Sequence, residues 1–349
     1  MPRHTRRLTA TAALLTVVAT ALSACGNGAA SQATGSDDKV IRIAYQKFPS
    51  GDLVVKQRGL LEKALPDYDV QWKAFDSGAS INTAFVGKAV DVAAIGSSPV
   101  ARGLSEPLNI PYKVAFVLDV AGDNEALVAR KDTGITDVAG LKGKKIATSF
   151  SSTAHYSLLA ALDQAGLKDS DVDLIDLEPQ DILAAWTRGD IDAAYTWLPT
   201  LDELRKDGTT LIASRQLATA GKPTLDLGVV SDSFVDNHPD AVDAWRKAEA
   251  EALREIESDP GAAAKDVSAE LGVTPAVAAD QLKQGVFLTP EQVASTEWLG
   301  SEGAPGNVAQ NLHDGAKFLE SQNQIPSVPD LSVFQKALYV KGLPGALDQ

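Results

Sequence analysis

Gly87-Lys-Ala-Val-Asp-Val-Ala-Ala-Ile-Gly-Ser-Ser-Pro99 reads as one βα junction. Gly87 closes a helix, Asp91 belongs to a short acidic turn, and Val90 to Ile95 is an apolar run suited to a buried strand. That strand runs out into a polar tip, Gly96-Ser97-Ser98, and Pro99 stands where a first-turn proline opens the next helix. Gly189-Asp-Ile-Asp-Ala-Ala-Tyr-Thr-Trp-Leu-Pro199 repeats the order of glycine, acidic turn, apolar strand, tip and proline. Two similar lobes facing each other produce such a pattern; chance likeness between two βα units produces it too.

Working outward, the same rhythm continues. Val40 to Tyr45, Val70 to Phe75, Lys113 to Leu118, Ala126 to Arg130, Lys145 to Ser149, Val172 to Leu177 and Ile191 to Trp197 read as strands. Val54 to Ala64, Ser80 to Gly87, Ala154 to Ala165 and Gln180 to Arg188 read as helices. The last third is helical, with Ala241 to Ile256 and Gln310 to Ser321 as its clearest stretches. Strand-then-helix alternation predicts an α/β fold with mostly parallel sheets flanked by helices. The length of the folded part points to two lobes rather than one core.

The N-terminus fixes the compartment. Arg3, Arg6 and Arg7 precede an apolar stretch from Leu8 to Leu22, followed by Leu22-Ser23-Ala24-Cys25-Gly26. This is the layout of an export signal, too short for the ~20 residues of a spanning helix. Cys25 is the only cysteine of 349 residues, so it is not half of an internal disulfide. Its setting resembles the lipobox of bacterial lipoproteins, which implies a lipid on Cys25 and a membrane tether. Gly26 to Lys39 holds no large apolar side chain and reads as a flexible tether, with the folded part starting at Val40. A formal net charge of −14 argues against nucleic acid as a partner, since phosphate contacts need a basic patch.

Three strand tips are rich in small and hydroxylated residues: Asp76-Ser77-Gly78-Ala79-Ser80, Gly96-Ser97-Ser98-Pro99 and Ser149-Phe150-Ser151-Ser152-Thr153. Ligands of open α/β sheets sit beyond such carboxyl ends, where helix N-termini offer free N–H groups and a partial positive charge. Ser and Thr cap helices in proteins of every kind, so one such tip is ambiguous; three together suit an anion cradle. Glu125 and Asp226 sit beside apolar strands placed where the chain passes between lobes. Aimed into a cleft, they would accept a cation. Tyr45, Tyr156, Tyr195 and Trp197 are candidate cleft walls, with ordinary packing as the alternative.

Phe75-Asp-Ser-Gly-Ala-Ser80, Gly96-Ser-Ser-Pro99, Asn124-Glu-Ala-Leu-Val128 and Thr153-Ala-His-Tyr-Ser-Leu-Leu-Ala-Ala161 resemble the taurine-binding proteins of bacterial ABC importers, within the aliphatic sulfonate, nitrate and taurine solute-binding family. So do Ala184-Ala-Trp-Thr-Arg-Gly-Asp-Ile-Asp192, Pro223-Thr-Leu-Asp226 and Phe287-Leu-Thr-Pro-Glu291. The resemblance implies a two-lobe, type II periplasmic-binding-protein fold closing by a hinge. Its segments would be a leader (1–24), a tether (25–39), lobe 1 (40–125 and 228–349) and lobe 2 (126–227). It implies a monomer without cofactor or metal that hands a small zwitterionic or anionic sulfonate to a permease and its ATPase outside the cytoplasm. By the same resemblance, Ser77, Gly78, Ala79, Ser98, Ser152 and Thr153 would surround the sulfonate, Glu125 and Asp226 would accept from an ammonium, and His155, Tyr156, Tyr195 and Trp197 would complete the wall. Gly228 stands where the family tends to carry an aromatic residue, and Leu198 where it carries a smaller one, so pocket shape is expected to differ there.

An enzyme is the competing class, because pyrimidine-synthesising enzymes share these lobes. Those rely on several histidines and metal chemistry, whereas His4, His155, His238 and His313 are widely spaced, and neither a His-Glu-x-x-His motif nor a cysteine cluster occurs. Isethionate or an alkanesulfonate in place of taurine, or a receptor that does not transport, would leave the sequence looking the same.

Overall fold

The computed structural model describes residues 39–347; the leader, Cys25 and the tether up to Asp38 lie outside them. The chain first lays down β1 (Val40–Tyr45), α1 (Gly51–Arg58), α2 (Leu60–Ala64), β2 (Asp69–Ala74), α3 (Gly78–Val86), β3 (Val92–Gly96), α4 (Ser97–Gly103) and β4 (Tyr112–Val120). It then builds β5 (Glu125–Arg130), β6 (Lys145–Thr148), α5 (Thr153–Gln164), β7 (Asp173–Asp176), α6 (Pro179–Arg188), β8 (Ala193–Trp197), α7 (Thr200–Arg205), β9 (Gly208–Ala213) and α8 (Ser214–Thr219). It returns as β10 (Leu225–Ser231) and finishes in helices α9 (Asp232–Asn237), α10 (Pro239–Ser258), α11 (Pro260–Leu271), α12 (Pro275–Leu282), α13 (Pro290–Val293), α14 (Val308–Ser321), α15 (Leu331–Ala337) and α16 (Leu343–Leu347).

Two five-stranded sheets result, ordered β2-β1-β3-β10-β4 and β7-β6-β8-β5-β9. They are built alike. The two strands of the sequence repeat, β3 and β8, hold the third place in each, and the strands that follow a crossing, β10 and β5, hold the fourth. Four strands of each sheet run the same way, but β10 and β5 run against both neighbours. The sheets are therefore mixed, where the sequence rhythm alone suggested mostly parallel pairing. The cause is connectivity: a strand reached by crossing from the other sheet starts at the edge where its neighbours end.

One long helix expected from Val54 to Ala64 is broken. Gly59 takes a left-handed conformation (φ 59°), and its N–H bonds back to Lys56 and Val55, ending α1 before α2 restarts. The three hydroxyl-rich tips do open helices. Ser77 forms a capping box with Ser80 at the start of α3, and Ser152 caps α5 by accepting from the N–H of His155.

The first sheet carries the larger core. Trp245 of α10 lies against Gly228 of β10, and a Cβ on Gly228 would stand 2.3 Å from Cη2 of that indole. Trp245 thus fills the space above Gly228, in the core and away from the cavity. The next residue, Arg246, is fully buried and straps down the C-terminal segment. Its Nε donates to Ala115 O (3.1 Å), Nη1 to Lys341 O (2.8 Å) and Nη2 to Tyr339 O, with the guanidinium over the Tyr339 ring. Among the described residues no helix is long and apolar enough to cross a membrane.

Gly228→Ala is therefore expected to lower unfolding stability by about 1–3 kcal/mol, the range for overpacking a filled core. Urea unfolding checks this; an unchanged midpoint would mean that α10 can stand off the sheet without cost.

Candidate ligand-binding site

The carboxyl ends of the two sheets meet around a cavity. From the first sheet and its connections come Gln46, Phe48, Pro49, Gly78, Gly96, Pro99, Ala121 and Asp226; from the second come Asn124, Glu125, Ser152, Thr153, Trp197 and Leu198. A wider outer cavity shares Gln46, Trp197 and Leu198 with it and carries Asp76, Glu178 and Asp181.

The cavity lining offers N–H groups. The N-termini of α3, α4 and α5 converge on it, and the first N–H groups of a helix have no acceptor within that helix. Their close approach requires glycine. A Cβ on Gly78 would lie 2.4 Å from Cγ of Pro99, and one on Gly96 would lie 2.6 Å from the Thr153 methyl, across from the other sheet. An anion fits here on backbone donors and helix dipoles together.

The same lining is acidic as well. Glu125 opens β5 opposite Trp197, the last residue of β8, and Asp226 stands near the start of β10 opposite Gly96, the last residue of β3. The two carboxyls hold matching places in the two sheets. Glu125 is 3% exposed and accepts four hydroxyl bonds: from Thr153 (2.5 Å) and Ser157 (3.2 Å) of α5, Ser214 of α8 (2.7 Å) and Thr224 of the returning segment (3.4 Å). Burial raises its pKa, and the four hydroxyls pull the other way. Asp226 is half-buried and lines the cavity. Enclosure by protein and then the nearby Glu125 charge push its carboxyl up to about 7. Among the described residues no group of three or more His, Cys, Asp or Glu side chains is placed to hold a metal ion.

The sequence model of the NMT1/THI5-like family matches residues 80–263. Over 308 residues the chain is 37% identical to the taurine-binding periplasmic protein of Escherichia coli (strain K12), covering 86% of this chain and 92% of that one. The chain belongs to this family. The fold agrees: the alkanesulfonate-binding protein SsuA of Xanthomonas axonopodis pv. citri, solved bound to MOPS, superposes with a TM-score of 0.70 at 22% identity, over 86% of this chain and 98% of that one. The desulfurization enzyme DszB superposes with a TM-score of 0.64 at 16% identity, over 89% and 99%. The shared architecture thus carries binders and an enzyme alike, and function must be argued from the site.

Of the residues expected in the family's pocket, Gly78, Glu125, Ser152, Thr153, Trp197 and Asp226 are brought together on the cavity. Leu198, one of the two departures, lines it as well. Ser77, Ala79, Ser98, His155, Tyr156 and Tyr195 are not among its lining residues. Ser77 is taken up in capping α3, and Ala79 sits one step farther into that helix. Ser98 and Tyr156 border a separate small cavity with Thr224 and Asn311, and the Tyr156 ring meets Phe318 edge-on at 4.7 Å. His155 accepts from the Ser151 N–H and stacks on Phe150 at 4.5 Å. The reason is helical rotation: α5 shows the cavity its first residues, and each further residue turns about 100° away. Tyr195 sits behind Glu125, its hydroxyl 3.0 Å from Ser214 Oγ, a partner of that carboxylate. Gln46, Phe48, Pro49 and Asn124 were missed. The first three follow a strand tip lacking the serines that marked the others, whereas Asn124 stood beside Glu125 in a quoted motif.

Asp119 was missed as well. It lies in β4 directly across from Asp226, is 0% exposed, and neither oxygen accepts a hydrogen bond from another described group. Burial first and the adjacent Asp226 second drive its pKa well above the usual carboxylate range.

Raised carboxyl pKa values make the folded state bind more protons than the unfolded one, so stability present at low pH is lost as pH rises through the folded values. Asp226 at about 7 sets the window. His155, held down to about 4 by burial, works in the opposite sense but only below its unfolded value of about 6.5. Ligand-free protein is therefore expected to lose thermal stability as pH rises from 6.5 through about 7, with Asp226→Asn flattening the slope. A melting temperature that is level or rises over that range would refute the assignment.

Proposed function

We propose that this chain is the extracytoplasmic solute-binding lipoprotein of an ABC importer, capturing taurine or a closely related small sulfonate between its two lobes and delivering it to a membrane permease and its ATPase. The observation that carries this reading is the polarity of the cavity. Helix N-termini and glycine-lined backbone stand beside two carboxyls, the buried Glu125 and the half-buried Asp226. Such a site suits a short zwitterion with a bulky tetrahedral anion. N–H groups near Gly78, Ser152 and Thr153 hold the sulfonate; Thr153 gives its hydroxyl to Glu125 and keeps its N–H for the ligand. Glu125 and Asp226 accept from the ammonium, in charge-assisted hydrogen bonds about twice as strong as neutral ones. Trp197 and Leu198 close the sides. The match to a protein described as taurine-binding and periplasmic supports both ligand class and compartment. The lobes, 40–125 with 228–349 and 126–227, hinge at the two crossings, and the lipid on Cys25 keeps the protein at the outer face of the cytoplasmic membrane.

Isothermal titration of the mature protein with taurine, isethionate and sulfate tests the ligand assignment. Tight taurine binding is expected, with Asp226→Asn weakening it about 10- to 100-fold, the worth of one hydrogen bond to a charged group. Isethionate should change far less, because it brings no ammonium; equal losses would take Asp226 out of the cation site. The anchor is tested separately. Cells fed a labelled lipid precursor should label the wild-type chain and leave Cys25→Ala unlabelled, and an unlabelled wild type would end the lipoprotein reading.

A further inference from the structure

Asp119 and Asp226 are paired in register on neighbouring strands, and of the two only Asp226 lines the cavity. The charged groups facing them are carboxyls as well: Glu125 of β5 and Asp52 of α1. Asp52 in turn faces Glu249 of α10 and Glu270 of α11. A fully buried carboxylate without a donor is expensive, and a second carboxylate beside it raises the cost. The arrangement becomes favourable when Asp119 stays a carboxylic acid and donates its hydrogen to Asp226, as in other carboxyl pairs that hold one proton between them.

We propose that Asp119 is a specificity-determining residue of the cleft: it holds a shared proton against Asp226 and thereby sets whether a cationic or a neutral ligand tail is accepted there. This rests on the reading of the cavity as a sulfonate site. When an ammonium arrives, Asp119 remains the acid, Asp226 is the carboxylate, and the ligand supplies the balancing positive charge. When a hydroxyl arrives, no positive charge comes with it. The pair then takes up a second proton from solvent, and Asp226 becomes a hydrogen-bond donor to the hydroxyl oxygen. Amino-sulfonate and hydroxy-sulfonate complexes thus differ by one proton at the same two residues, and acid conditions favour the hydroxy ligand.

Titration calorimetry with taurine and isethionate, from pH 6 to 8 in buffers of different ionisation heat, reads both affinity and protons exchanged. The taurine-to-isethionate affinity ratio should rise about tenfold per pH unit, with proton counts differing by one between the ligands. In Asp119→Asn the amide donates permanently to Asp226 and removes the neighbouring acid. Isethionate should then weaken about tenfold at neutral pH, and taurine should keep its affinity about one pH unit further into acid. A merely structural Asp119 would weaken both ligands alike and leave the pH slope where it was, which overturns the proposal. Should Asp119→Asn unfold, equal proton counts for the two ligands in the wild type overturn it by themselves. Infrared spectra of the ligand-free protein separate this from the sulfonate reading. If neither ligand binds, the sulfonate assignment has failed, yet carboxylic-acid absorbance at neutral pH should still drop in Asp119→Asn, and no drop refutes the shared proton.

Discussion

Negative charge held out of water at the line where the two sheets meet is the constraint from which the rest of this architecture follows. Glu125 stays buried because four hydroxyls reach it from α5, α8 and the returning segment. A hydrogen bond to a charged group contributes about 1.5–3 kcal/mol, so each of these contacts also fixes the element that bears it. The start of α5, which presents backbone to the cavity, is held there by Thr153 and Ser157. The second crossing is held by Thr224, one residue before β10 begins. One carboxylate thereby organises both the backbone donors of the cavity and the route by which the chain returns.

The donors and the acceptors of the cavity are made by different means, and the difference is physical. The donors are backbone, which cannot be titrated and keeps its polarity at any pH. The acceptors are carboxyls whose charge depends on what surrounds them. A zwitterion satisfies both sets at once. Any other ligand leaves one set to be neutralised by solvent protons or left unpaired, and an unpaired buried polar group is costly.

Much of this was legible in the residues. The repeat around Gly87–Pro99 and Gly189–Pro199 marks the equivalent strands of the two sheets, and the hydroxyl-rich tips mark helix starts. Both carboxyls of the cleft were found because each stands at the edge of an apolar strand. Asp119 was not, because Val117-Leu118-Asp119-Val120 reads as strand interior, and only cross-strand register brings it against Asp226. The aromatic wall was overdrawn for a related reason. Tyr156 and Tyr195 lie close to cleft residues along the chain, but helical rotation takes Tyr156 to a separate cavity and strand alternation turns Tyr195 into the core. Gly59 breaks a helix whose apolar spacing continues across it, because one left-handed residue outweighs a favourable pattern. Gly228 looked like a change in the pocket until Trp245 was seen to fill the space above it.

The place of β10 in the first sheet also bears on when the protein can fold. β3 and β4 have no pairing with each other; each finds its partner in β10, which lies more than a hundred residues further along the chain. Arg246, already paired with Asp243 of its own helix at 3.2 Å, then waits for the carbonyls of Tyr339 and Lys341 to complete its hydrogen bonds. Contacts this distant in sequence close late. An emerging chain therefore has β3 and β4 before it has the strand that joins them, and the sheet remains incomplete until β10 (Leu225–Ser231) is available.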